Sequence, residues 1–193
     1  GSDLLCYCAN NPSSLAERQT ATWQPLLDWA AERYGAPLLV VQGMAFVTQP
    51  AQSLARLRAA VAAHGDLALS SLYNLTHIAG SLIVALAVTE RHLTAEQAFQ
   101  AAQLDDLYQI ERWGDDPLAI ERRDGVCRDI AAAARFLELL GDARLRDAAG
   151  HNEGKGEACR QAGNSATCLQ PKAWSKPWPR TVRSPPCSPP KRA

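Results

Sequence analysis

The apolar run from Ile78 to Val88 restricts how this chain can fold more than any other feature. Apart from Gly80 and Ser81, all its side chains are hydrocarbon. It is about half as long as the roughly 20 residues that a membrane-spanning helix needs. A helix that is apolar on every side is buried at the centre of a globular protein. We therefore predict a core helix within a helical region over Leu67–Thr89, with Gly80 and Ser81 in its interior, and no stable membrane insertion.

Start and stop signals divide the flanking sequence into shorter helices. Pro12 is expected to open the first helix, and Pro25 to interrupt it, because proline lacks an N–H and clashes with the preceding turn. Thr94 and Gln97 have the spacing of a capping box, which predicts a helix from there to Trp113. The remaining predicted helices cover residues 25–35, 50–63 and 117–141.

A short β-branched run, Leu38–Gln42, does not fit the helical pattern. It predicts either a strand or an extended connector. The predicted fold is all-α, an orthogonal bundle of about six helices, because the pieces are too short and too often interrupted for a coiled coil. A short extended or β segment is expected near residues 38–48.

The net charge of zero conceals two parts of opposite charge. Residues 1–150 carry 12 Arg, no Lys and 18 Asp or Glu, which gives 12 − 18 = −6. Residues 151–193 carry 8 Lys or Arg and 2 Glu, which gives 8 − 2 = +6. An acidic body argues against nucleic-acid binding, which usually depends on a basic face.

Three segments follow from these patterns. Residues 1–10 are predicted to be a linker or the remnant of a missing N-terminal domain, and residues 11–145 the helical bundle domain. Residues 146–193 are rich in Pro and basic side chains and lack apolar periodicity, so we expect a disordered tail. Whether this tail is natural, frame-shifted or fused is left open by its composition.

The cysteine and histidine residues do not specify a metal site. The six Cys show no C-x-x-C spacing, so neither a zinc site nor a disulfide framework is indicated, and a reducing compartment fits best. Cys6 and Cys8 could in principle join histidines in binding a metal, but zinc prefers four ligands with paired spacing. The prediction is therefore no metal and no cofactor.

An acidic cluster surrounds Trp113 and Gly114. It has three interpretations: a solvated face with a helix cap, a charged rim around an aromatic anchor for protein binding, and paired carboxylates for acid–base or metal chemistry. Residue chemistry favours them in that order, and no convincing active site emerges. The cluster consists of Asp105, Asp106, Glu111, Trp113, Gly114, Asp115 and Asp116.

Several stretches, taken in order, resemble a known family. They are Asp3–Tyr7 with Pro12, Leu15 and Gln19; Trp23–Ala30; Gly43 with Gln49 and Pro50; Gly80–Leu82; and Leu104–Asp106 with Gln109, Glu111 and Trp113–Asp116. Over residues 3 to about 145 the sequence is similar to the assembly chaperones of the F-type ATP synthase that bind its alpha subunit, found in mitochondria and alphaproteobacteria. Cys8, Asn10 and Gln24 depart from the usual family residues, which weakens those positions as contact sites.

The resemblance implies a function and a set of contact residues. It implies a non-enzymatic chaperone that binds the unassembled alpha subunit and prevents its aggregation before assembly with beta. By resemblance, the partner-binding residues are Glu111, Trp113, Gly114 and Asp115. Glu111 and Asp115 would offer charge to the partner, and Trp113 would anchor the patch or lock its helix.

The resemblance further implies that this chain is the C-terminal domain of a two-part protein whose β-rich N-terminal domain is absent. We expect a monomer in the bacterial cytoplasm, with the mitochondrial matrix as the alternative. Two rival functions stay open from sequence. One is a generic helical interaction or regulatory domain, and the other is a metal- or carboxylate-dependent hydrolase using Glu111, Asp115 and Asp116.

Overall fold

The computed structural model describes residues 2–114 and 116–150, with side chains up to residue 141. This part of the chain contains seven α-helices, a short 3₁₀ helix and two very short strands. In chain order they are the 3₁₀ helix Leu4–Cys6, β1 Tyr7–Cys8, α1 Ser13–Tyr34, β2 Val41–Gln42, α2 Ala51–Ala62, α3 Asp66–Ala79, α4 Leu82–Thr89, α5 Ala95–Ala102, α6 Leu104–Trp113 and α7 Pro117–Gly150. The predicted all-α fold is confirmed.

The predicted core helix is α4, in which every residue from Ile83 to Val88 is buried. The single long helix expected over Leu67–Thr89 is wrong, because the chain leaves the helix at Gly80. Gly80 is left-handed, with φ 65°, and Ser81 caps α4 by accepting a hydrogen bond from the Val84 N–H at 3.1 Å. The residues expected inside one helix therefore form the corner between two, which lets α3 pack back against α4.

Pro25 does not interrupt the first helix as predicted. α1 is continuous from Ser13 to Tyr34 with Pro25 in its interior. A proline inside a helix costs about 3 kcal/mol or more. Here Trp23 and Leu26, on either side of it, are buried in the same core, so burial holds the two halves of the helix in line.

The capping box at Thr94 is confirmed. The Thr94 hydroxyl accepts from the Gln97 N–H, and the Gln97 side chain accepts from the Thr94 N–H. The helix does not continue to Trp113, however, because Gln103 leaves helical geometry and separates α5 from α6. The bend allows Phe99 and Tyr108 both to be buried.

The extended segment predicted near residues 38–48 contains β2. This strand pairs in parallel with β1, with Tyr7 opposite Val41 and Cys8 opposite Gln42. The base of the segment is held by Gln49, whose side-chain amide exchanges two hydrogen bonds with the backbone of Leu39, at 2.8 and 2.9 Å.

The last helix continues past its predicted end at Gly141. A glycine inside a helix costs only about 1 kcal/mol and ends a helix only where it turns left-handed. The chain divides into two units, Gly1–Asp142 and Ala143–Ala193. In the second unit, the structure describes the residues of α7 as far as Gly150. The part of the predicted disordered tail that follows Gly150 lies outside the described residues.

In the described part of the chain, no helix is both long and apolar enough to cross a bilayer.

The N-terminal segment is tied to the core by Asp3. Its carboxylate accepts hydrogen bonds from the N–H groups of Leu5, Leu82 and Ile83 at 3.2, 2.8 and 3.3 Å. It thus satisfies free donors at the start of α4. Burial raises the pKa of Asp3, while its hydrogen bonds oppose that shift.

Replacing Asp3 by alanine should reduce the free energy of unfolding by about 1–3 kcal/mol, because it leaves N–H groups without an acceptor near the core. Urea unfolding followed by circular dichroism would measure this loss. Asp28→Ala is the matched control, since Asp28 is an exposed aspartate on α1, and it should change stability by less than about 0.5 kcal/mol. Equal effects of the two variants would contradict this assignment.

Candidate functional site

The predicted contact residues lie around the end of α6. The helix ends at Trp113, and Gly114 follows with φ 82° and ψ −179°. This conformation favours glycine, although an added Cβ would meet no atom within 4 Å. Gly114 is therefore needed for the direction of the backbone, which turns there toward α7.

Trp113 is exposed, with 76% of its surface accessible. It borders a groove of about 470 Å³ between the end of α6 and the start of α7. Ile110 and Leu118 supply apolar lining, and Leu118 is itself 77% exposed. A large aromatic side chain beside an aliphatic one in an open groove is typical of a protein-binding anchor.

Charged side chains form one rim of this groove. Arg122 of α7 donates to Asp106 of α6 at 2.9 Å, which links the two helices across it. Asp116 immediately precedes α7, and its carboxylate accepts from the N–H groups of Leu118 and Ala119, both at 3.0 Å. The predicted helix cap at this position is confirmed for Asp116.

Glu111 points toward α1 and is already paired. Arg18 Nη1 donates to both carboxylate oxygens, at 2.8 and 2.9 Å, and the two side chains are 30% and 29% exposed. Arg18 is not among the residues predicted for the site. Arg18 and Glu111 are 93 positions apart in the sequence. The sequence signal for Arg18 is its position on α1, directly before the buried residue Gln19.

Tyr108 supports this pair from beneath. It is 4% exposed, and its hydroxyl shares a hydrogen bond with the Ser14 hydroxyl at 2.6 Å. The guanidinium carbons of Arg18 and Arg112 each lie 5.3 Å from its ring centroid. Such cation–π contacts contribute roughly 0.5–1 kcal/mol at exposed sites.

Asp105 separates from the rest of the acidic cluster. It accepts a hydrogen bond from the Gln19 side chain at 2.7 Å, on the inner side of α6. Burial raises the pKa of Asp105, with the Gln19 hydrogen bond opposing and neighbouring Asp106 adding to the rise. Asp115, the fourth predicted contact residue, lies outside the described residues. The structure thus places Glu111, Trp113 and Gly114 at one helix end.

The described part of the cluster does not converge as a catalytic or metal site would. Asp106, Glu111 and Asp116 each have a separate partner or cap. No group of three His, Cys, Asp or Glu side chains in the described ranges could hold a metal ion. Burial, with smaller contributions from Asp3 and Cys8, raises the pKa of Cys6 to about 12, so its thiol is protonated at neutral pH and is a poor ligand.

No protein-family model matches the chain. Solved structures do, however. Atp12 from Paracoccus denitrificans matches 72% of this chain and 60% of its own length, with a TM-score of 0.70 and 37% identity. This likeness supports the resemblance of the chain to the ATP synthase assembly chaperones. A protein from Agrobacterium tumefaciens, described as a candidate chaperone, matches with a TM-score of 0.67 and 40% identity over 72% of this chain.

The resemblance predicted from the sequence is thereby confirmed. The chain spans 60% of the length of the Paracoccus chaperone and 52% of the Agrobacterium protein. The binding partners and the activity of these longer proteins are therefore only proposals for this chain.

Proposed function

We propose that this chain binds the unassembled alpha subunit of the F-type ATP synthase and keeps it from aggregating until the beta subunit takes its place. The observation that carries the proposal is the 37% identity to Atp12 from Paracoccus denitrificans over 72% of the chain. An unassembled subunit exposes an apolar interface that it later buries, and such surfaces aggregate. A protein that covers that interface reversibly meets this need.

The groove beside Trp113 is the proposed contact surface. It offers an exposed aromatic side chain, an aliphatic neighbour in Leu118, and a rim formed by the Asp106–Arg122 pair. An apolar centre with a polar rim is the usual composition of a reversible interface. A contact that depends on few side chains suits a chaperone, because the contact must yield to the beta subunit. Asp115 remains part of the proposed patch by resemblance alone.

The proposal assigns the chain no catalytic step, no cofactor and no nucleic-acid partner. Its support is that the related proteins are chaperones and that the described carboxylates near Trp113 are engaged in pairs or caps. We propose that it acts as a monomer. We place it in the bacterial cytoplasm because the solved relatives named above come from bacteria.

The test is selective capture by the full chain. Tagged protein would be immobilised and offered alpha and beta subunits of an alphaproteobacterial ATP synthase, each expressed alone. We expect retention of alpha and not of beta, together with less light scattering when denatured alpha subunit is diluted into equimolar chaperone. Retention of neither subunit by a demonstrably folded chain would contradict the proposal, and equal retention of both would indicate a generic interaction domain.

A further inference from the structure

An ion pair with α1 holds the last turn of α6 on the side that faces that helix. The buried residues of α6, Leu104 and Tyr108, lie in its first half, whereas residues 111–114 are exposed. Packing therefore fixes the beginning of the helix more firmly than its end. The carboxylate of Glu111, two residues before Trp113, joins this end to Arg18.

We propose that the Arg18–Glu111 pair positions the last turn of α6, and with it Trp113, for partner binding. Arg18 is thus a positioning residue, and the Glu111 carboxylate acts through Arg18 and not by direct contact with the partner. This inference rests on the proposed function, since it concerns the same groove. It replaces the sequence-based expectation that Glu111 offers its charge to the alpha subunit.

The geometry of the carboxylate favours this role over direct contact. Both oxygens of Glu111 accept from Arg18 Nη1 within 2.9 Å. A cation on the partner would have to displace a guanidinium that is already in place. Such an exchange of one ion pair for another yields little net affinity.

Arg18 is itself oriented by the buried ring of Tyr108. Its guanidinium lies over the ring of Tyr108, which is buried and shares a hydrogen bond with Ser14. Arg18 therefore reaches Glu111 from a fixed position on α1. A cation held in this way restricts the end of α6 more than a freely moving surface arginine would.

A double-mutant cycle with uncharged polar side chains tests the proposal. The full-length variants are Arg18→Gln, Glu111→Gln and the double variant, each measured for its affinity for alpha subunit. If the pair acts as one unit, each single variant should weaken binding by a similar factor of about 3 to 10, and the double variant should be no weaker than either. Arg33→Gln is the control, because it removes a comparable pair, Arg33–Glu90 at 2.9 Å, away from the groove.

A second readout needs no partner. The Gly114 N–H donates to the Ile110 carbonyl at 2.9 Å and reports on the last turn of α6. Hydrogen exchange at Gly114 should accelerate about 3- to 10-fold in both single variants. The midpoint of thermal unfolding of each variant should be no lower than that of the Arg33→Gln control. Partly exposed pairs contribute little to global stability, so a local effect is expected.

Two results would overturn the proposal. One is an Arg18→Gln variant that binds alpha subunit as well as or better than the unaltered protein while Glu111→Gln binds weakly, since a free carboxylate would then be the direct contact. The other is unchanged exchange at Gly114 in both variants. Failure of the proposed function differs from failure of this inference. If the proposed function is wrong, the unaltered chain captures no alpha subunit, although exchange at Gly114 still responds to both substitutions.

Discussion

Trp23→Ala is expected to lower the free energy of unfolding by about 3–5 kcal/mol, the largest stability effect we predict for a single substitution. Trp23 is 1% exposed and lies on the buried face of α1. Its indole N–H donates to the Ala101 carbonyl at 2.9 Å, which ties α1 to α5. The substitution would therefore leave a cavity and a buried carbonyl without its donor.

Equilibrium unfolding in urea, followed by far-ultraviolet circular dichroism, would measure this loss. Trp113→Ala is the matched control, because Trp113 is exposed, and it should change stability by less than about 0.5 kcal/mol. A loss below about 1 kcal/mol for Trp23→Ala would mean that the core does not depend on this side chain as the structure indicates.

Trp113→Ala is expected to weaken binding of the alpha subunit by about 30-fold or more. Truncating an aromatic anchor at the centre of an interface typically costs 2 kcal/mol or more, which corresponds to that factor. The stability of the protein should be unchanged, because the ring lies outside the core. Dissociation constants for immobilised full-length chaperone and free alpha subunit would measure the effect.

Tyr73→Ala provides the control for nonspecific adhesion. Tyr73 lies on α3 and is 70% exposed, close to the exposure of Trp113. If binding depends on the groove, Tyr73→Ala should keep its affinity within about twofold. Equal weakening by the two variants would indicate that alpha subunit adheres to exposed aromatic side chains in general, and would remove the groove from the proposed function.

The composition of the groove is consistent with a transient contact. The groove of about 470 Å³ offers one aromatic anchor, Trp113, beside the exposed aliphatic side chain of Leu118. Trp113 is the large aromatic side chain at the groove, so a partner that covers the groove would bury more apolar surface on Trp113 than on its neighbours. A chaperone whose affinity depends on few side chains can release its client when a larger complementary surface, such as the beta subunit, competes.

Local signals predicted several elements correctly because the causes are local. The capping box of Thr94 and Gln97 depends on side chains three residues apart, and the helix cap at Asp116 on its own next turn. Helix continuity was predicted less well. Pro25 was expected to break α1, and Gly80 to lie within a helix, because both outcomes depend on what the neighbouring residues pack against.

The contact site shows the same division. The end of a helix at Trp113 and Gly114 could be predicted from sequence, because glycine after the last helical residue is a local pattern. The pairing of Glu111 with Arg18 could not, since it joins residues 93 positions apart. Asp105 belongs by sequence to the acidic cluster, yet it accepts a hydrogen bond from Gln19 of α1, a contact between helices that the local sequence does not reveal.

What the sequence determined by itself is the helical class, the central apolar helix and the resemblance to the family, because each follows from periodicity or from ordered local motifs. What only the tertiary structure decided is where helices end against one another and which charged side chains meet. Those outcomes depend on contacts between distant segments, such as α1 with the end of α6. Their energies arise when the chain is folded and cannot be summed from the residues one by one.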